Sequence, residues 1–162
     1  MAISKDTKSG IIAKLKDAFK DASTIVFVGF SKLTVADSSK MRKQLKESGV
    51  SYFVAKKTLI RLVLNSQGYT GEIPELPGEV AVAWTNNEVT APARGVYEYG
   101  KKLKGAVAIL GGVFSGAFID AKGMTDIATI PPLPVLRGMF VNVINSPIQG
   151  FVMALDQISK TK

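Results

Sequence analysis

The chain of 162 residues contains no cysteine and no histidine. Without cysteine there is no disulfide, no thiolate nucleophile and no cysteine metal site, a composition suited to a reducing cytosol. Without histidine the commonest general base and the commonest transition-metal ligand are both missing. The thirteen Asp and Glu residues are scattered, with no carboxylate cluster of the kind that holds a metal or shares a proton. No catalytic residue, metal site or cofactor is therefore expected, and the chain does not read as an enzyme. The first residues, Met1-Ala-Ile-Ser-Lys-Asp-Thr-Lys-Ser, carry charges where a secretion signal needs an unbroken apolar stretch.

The charge is abundant but unevenly placed. The net charge is +8. Residues 1–64 hold thirteen Lys and Arg against five Asp and Glu, whereas residues 65–162 hold eight of each. All of the positive excess lies in the first two-fifths of the chain. Such a localised excess is the electrostatic footprint of a polyanion binder, since nucleic-acid affinity comes largely from phosphate neutralisation. A solvated lysine-rich surface is the plainer alternative.

Apolar content of 46% is ample for a core. Ile11, Ile12, Leu15, Ala18 and Phe19 fall on one helical face over 7–21, and Thr24–Phe30 reads as a buried strand. Thr34 is placed to cap a helix over 35–48 that Gly49 ends. Residues 51–56 predict a second strand and Thr58 the cap of a further helix. Residues 68–78 form a Pro- and Gly-rich loop, 79–84 a third strand and 88–103 a helix. Residues 106–118 read as a fourth strand with a bulge or tight turn at its glycines, and Asp120 as the cap of a short helix over 121–129. The order predicts an α+β fold: a small ferredoxin-like split β-α-β domain with an N-terminal helix, followed by a long kinked C-terminal helix. The domain boundary falls at Pro131, giving a domain over 1–130 and a tail over 131–162.

Between Leu133 and Ser159 the only charges are Arg137 and Asp156. Leu136, Met139, Phe140, Val143, Ile144, Ile148, Phe151, Val152, Leu155 and Ile158 recur mostly at spacings of three and four, a wide apolar stripe on a helix. Ser146-Pro-Ile-Gln149 has the form of a capping box, which predicts two helical pieces over 135–145 and 147–160. Asn142, Asn145, Pro147, Gln149 and Asp156 interrupt what a membrane span would need, and the polar face lacks the Lys and Arg of an interfacial helix. No membrane association is expected. A helix offered to a protein partner fits best, with packing back onto its own domain as the alternative.

The sharpest local feature is Ala55-Lys-Lys-Thr-Leu-Ile-Arg61, which sets Lys56, Lys57, Thr58 and Arg61 around a strand-to-helix corner where amide N–H groups also point outward. The Ser31-Lys32 loop and the N-terminal Lys5 and Lys8 complete the candidate RNA-binding set. Whether Ser31 and Lys56 lie at one end of the sheet is open at this level. Leu110–Gly116 lacks a nucleotide-loop ending, and Phe27, Phe30, Tyr52 and Phe53 sit in strands where core packing is the usual role.

Taken together, Gly29-Phe-Ser-Lys-Leu-Thr-Val35, Met41–Gly49, Val54–Arg61, Pro77–Ala83, Gly111–Gly116 and Ile127–Pro131 resemble the bacterial large-subunit ribosomal stalk-base family, protein ten of the large subunit. The resemblance covers nearly the whole chain. It implies a structural ribosomal protein of the cytoplasm whose N-terminal domain binds large-subunit rRNA beside protein eleven. It also implies a C-terminal helix that scaffolds dimers of the acidic stalk protein (seven/twelve), which recruit translational GTPases, and repression of its own mRNA leader in some members. Lys57 stands where the family has Asn, and Ser31-Lys32 where it has Arg-Gly. The tail lacks the family's acidic positions. The competing reading is a free-standing RNA-binding translational regulator whose tail packs on itself or homodimerises.

Overall fold

In the computed structural model, residues 5–31, 33–86, 88–103 and 105–161 are described. The chain divides into two units, Met1–Ile130 and Pro131–Lys162. In the first unit the elements are α1 (Lys5–Asp21), β1 (Thr24–Phe30), α2 (Val35–Glu47), β2 (Ser51–Val54), α3 (Lys57–Gln67), β3 (Glu79–Thr85), α4 (Ala91–Lys102), β4 (Val107–Phe114), β5 (Ala117–Asp120) and α5 (Ala121–Ala128). The second unit contains one helix, α6 (Leu133–Thr161).

The strands form one sheet in the order β2-β3-β1-β4-β5, with every neighbouring pair antiparallel. Consequently β1 and β2 run parallel with β3 inserted between them, and β3 and β4 run parallel with β1 inserted. These are the two interleaved split β-α-β units expected of the ferredoxin-like arrangement. Both faces of the sheet are covered. Val26, Val28, Ala81 and Ala83 pack with Met41, Leu45, Val96 and Met124 of α2, α4 and α5. Ile25, Phe27, Val80 and Val82 pack with Leu15, Phe19, Ile60, Val63 and Leu64 of α1 and α3. Burial on both sides is why Ile25–Phe30 is apolar throughout rather than alternating.

Local chemistry sets the boundaries. At the start of α2 the Thr34 hydroxyl oxygen accepts from the Asp37 N–H at 3.2 Å and donates to the Asp37 carboxylate at 2.7 Å. Its other end closes in a Schellman turn, with Gly49 at φ 72° and the Val50 N–H on the Leu45 carbonyl at 2.8 Å. Thr58, by contrast, is not a cap. Lys56 holds the N-cap position of α3 without a side-chain hydrogen bond, because β2 ends at Val54, two residues earlier than expected, and the helix begins at Lys57. Asp120 occupies the N-cap of α5, also with no side-chain cap bond.

The fourth strand expected over 106–118 is two strands. Ser115 and Gly116, at φ 50° and 83°, form a two-residue turn between the paired Phe114 and Ala117; positive φ at both positions matches the right-handed twist of a hairpin. Within β4 the register to β1 slips between Phe27 and Val28, which leaves Leu110 as the extra residue of a bulge beside Gly111. Gly112 lies so close to the Ile25 carbonyl and the Met124 side chain that any Cβ would collide with both.

In the tail the expected break at Ser146-Pro147 does not divide the helix: α6 runs from Leu133 to Thr161 with Pro147 inside it. Proline removes one N–H, the partner of the carbonyl four residues back, but the turns on both sides keep theirs, so the defect stays local. Pro134 lies in the first turn, where a missing N–H has no intrahelical partner to lose.

Candidate nucleic-acid and partner interfaces

Phe30 pairs with Glu79 and Val54 with Ala81, so β1 and β2 both end where β3 begins. Ser31 and Lys56 therefore leave the sheet at the same edge, which sequence alone left open. A cleft of about 560 Å³ opens there, walled by Ile11 of α1, Phe30, Val54 to Leu59, and Gly78 to Val80. Next to it lies a smaller cleft of about 230 Å³ lined by Gly29, Phe30, Ser31, Pro77, Gly78, Glu79, Gly105, Ala106 and Ala108. The Ser31 N–H is fixed on the Ala106 carbonyl at 2.9 Å.

Burial of Leu59, Ile60, Val63 and Leu64 fixes the orientation of α3. It leaves Lys57, Thr58 and Arg61 exposed, beside the exposed Lys56. Helix α1 lies alongside α3 and runs in the same direction. Ile11 shares the cleft at the start of α3, while near its end Gln67 Nε2 donates to the Lys16 carbonyl at 3.4 Å. Lys8, one turn before Ile11 and exposed, thus belongs to the same end of the domain. The fold brings together Lys8, Ser31, Lys56, Lys57 and Thr58, with Arg61 one turn further along α3. Lys32 and the side chain of Lys5 lie outside the described residues.

Two residues at this edge escaped the sequence reading. Glu79 lines both clefts and a third of about 340 Å³ formed with Thr34, Ser38, Arg42 and Tyr52. Only strand register reveals its place opposite Phe30. Arg42 sits with its guanidinium 5.8 Å above the Tyr52 ring. Burial pushes the Tyr52 phenol up to about 12, with the Arg42 charge opposing the shift. Of the aromatic residues of β1 and β2, Phe27 is fully buried, while Phe30, Tyr52 and Phe53 are half-buried and pack against the core. Among the described residues no group of three or more acidic side chains is placed to hold a metal ion.

In the second unit the apolar side chains from Leu133 to Ile158 are exposed by 45% (Leu136) to 71% (Val143). The ten residues of the expected stripe are all among them. Leu133–Lys160 is long and apolar enough to cross a membrane by length and composition. Asn142, Asn145, Gln149 and Asp156 set polar groups along that length, and Asp156 pairs with Lys160 at 2.7 Å.

The family model described as ribosomal protein L10 matches residues 3–101, the stretch from α1 through α4. A large ribosomal subunit protein uL10 from Pelotomaculum thermopropionicum is 34% identical over 155 residues, covering 96% of this chain and 87% of that protein. The proteins of the same name from Staphylococcus carnosus and Shouchella clausii are 31% and 32% identical over 157 residues, each covering 97% of this chain and 94% of their own length. The chain belongs to the ribosomal protein L10 family, a family of ribosomal proteins and not of enzymes.

Proposed function

We propose that this member of the ribosomal protein L10 family binds large-subunit rRNA through its first unit and presents α6 as a docking helix for dimers of the acidic stalk protein (seven/twelve). The observation that carries the RNA reading is the convergence of Ser31, Lys56, Lys57 and Thr58 on one sheet edge, within the part of the chain that holds the whole +8 excess. Lys5, Lys8, Lys32 and Arg61 complete the contact set. Phosphate contacts from such a set give position and affinity, and their number appears directly in the salt dependence. The protein acts without turnover, in the cytoplasm as part of the ribosome, beside protein eleven. The same cationic edge is suited to an mRNA leader that mimics the rRNA site.

For the tail, the supporting observation is the ten-residue apolar stripe, exposed along its length. Burying such a side chain stabilises by roughly 1.5–3 kcal/mol, so a few of them outweigh the ordering of a docked helix pair. Pro147 divides the stripe near its middle, with five of the ten residues on each side, and we assign one dimer to each half.

The test of the RNA assignment is the full-length variant with Lys56→Ala, Lys57→Ala and Arg61→Ala, titrated with a stalk-base rRNA fragment across a salt series. The log–log slope is expected to flatten by about 0.7–0.9 per lost phosphate contact. A folded variant with unchanged affinity and slope would refute it.

A further inference from the structure

The larger cleft at the cationic edge has walls that phosphate binding does not require. Phe30, Val54 and Leu59 are apolar, and Val54 is 40% exposed although it lies in a strand. The cleft's volume of about 560 Å³ falls in the range of roughly 300–1,000 Å³ typical of small-molecule pockets, which is ample for one base. Lys56, Lys57 and the exposed acidic residue Glu79 stand among its lining residues. Among the described residues that carboxylate has no hydrogen bond or ion pair.

From this combination we infer that the cleft receives one unstacked guanine of the bound RNA. This rests on the reading of the edge as an rRNA interface and names what the cleft itself takes. RNA is read by sequence mainly where single-stranded bases are splayed out and held against apolar or aromatic side chains. Phe30, Val54 and Leu59 accept the faces of such a ring. Lys56 and Lys57 at the rim neutralise the phosphates on either side of an extruded nucleotide. The carboxylate selects the base. An ionised carboxylate is an acceptor only, with two oxygens side by side. Guanine alone presents two adjacent donors, N1–H and N2–H, on its Watson–Crick edge. Uracil presents one donor between two acceptors, and adenine and cytosine each present a donor beside an acceptor. An acid in the middle of a polyanion site opposes binding by charge, and pairing with guanine gives it a favourable role there.

The experiment uses the full-length protein and stalk-base rRNA fragments in which each unpaired guanosine is replaced in turn by inosine, which lacks the N2 amine, and by an abasic nucleotide. One guanosine is expected at which the abasic change weakens binding by tenfold or more and inosine by about fivefold to tenfold. With Glu79→Gln the inosine penalty at that position should shrink to less than about twofold, while the abasic penalty persists. The salt slope should be the same for both proteins, because a base contact releases no counterion. A second variant, Val54→Trp, fills the cleft and should abolish the abasic penalty at the same position. If neither variant changes any base-specific penalty, the inference is wrong, as it would be were the cleft occupied by a side chain of a neighbouring protein. The two failures separate cleanly. Loss of the salt-slope effect in the Lys56, Lys57 and Arg61 variant removes the interface itself, whereas a normal salt slope with no Glu79-dependent guanosine removes only the base pocket.

Discussion

Phe30 and Glu79 lie opposite each other across the β1–β3 ladder, and both line each of the three clefts described above at the cationic edge. That pairing ties the cationic edge to the fold. Because β3 is inserted between β1 and β2, the loops that follow β1 and β2 emerge on either side of the residue that opens β3. The Ser31 loop and the Lys56–Thr58 corner, some 25 positions apart in sequence, become one surface by strand order alone. Any change to the order or register of the three strands would separate them.

Register is tested most simply at glycine. Gly112→Ala would drive a methyl group into the Ile25 carbonyl and the Met124 side chain, and the carbonyl, fixed in the β1 ladder, has no room to yield. Urea denaturation should show a loss of about 1–3 kcal/mol or more. Gly10→Ala in α1, where nothing lies within 4 Å, is expected to stabilise by roughly 0.5–1 kcal/mol. Equal stability of the two variants would contradict the close approach of β4 to β1.

The two threonines near the edge should behave differently. Thr34→Ala removes the bond to the Asp37 N–H and is expected to destabilise by about 1 kcal/mol. Thr58 makes no cap bond in α3. Thr58→Ala should therefore leave the denaturation midpoint nearly unchanged while weakening RNA binding. The reverse pattern would restore Thr58 as a structural cap and remove it from the interface.

A pH effect is expected at the start of α4. The Arg94 guanidinium hydrogen-bonds both oxygens of Glu88, at 2.8 and 3.1 Å. That bond holds the Glu88 carboxyl below its ordinary value, against the opposing effect of burial. A lowered folded-state pKa means the pair's contribution is fully present above the ordinary carboxylate range and is lost as pH falls through the lowered value. Since Glu88 is 47% exposed, solvent screening limits the contribution to about 0.2–1 kcal/mol. The difference in unfolding free energy between the native protein and Glu88→Gln should be measurable at neutral pH and should vanish in strong acid. A difference that persists unchanged at pH 2 would mean that packing, not charge, carries it.

Much of the fold was legible because its signals are local. Thr34 and Gly49 bracket α2 through chemistry visible within four residues, and the apolar run of β1 announces a strand covered on both faces. Other features depended on distant partners. The hairpin at Ser115-Gly116 reads as a continuation of one strand unless the turn's positive φ values are anticipated. Thr58 looks like a cap until β2 ends at Val54 and leaves Lys56 in that position. Glu79 carried no signal at all, because its place among the clefts comes from pairing with a strand 49 residues away. In the tail, Ser146-Pro147 has the local form of a helix restart, but a helix with turns on both sides absorbs one missing N–H.

The division of labour between the two units is tested most directly by truncating the chain after Pro134. Native mass spectrometry with the acidic stalk protein and titration with the stalk-base rRNA fragment give the two readouts. Full-length protein is expected to carry two stalk-protein dimers and the truncated protein none, with RNA affinity and salt slope unchanged by the truncation. A truncated protein that unfolds, or that still carries its dimers, would contradict the account and return α6 to the domain's own core.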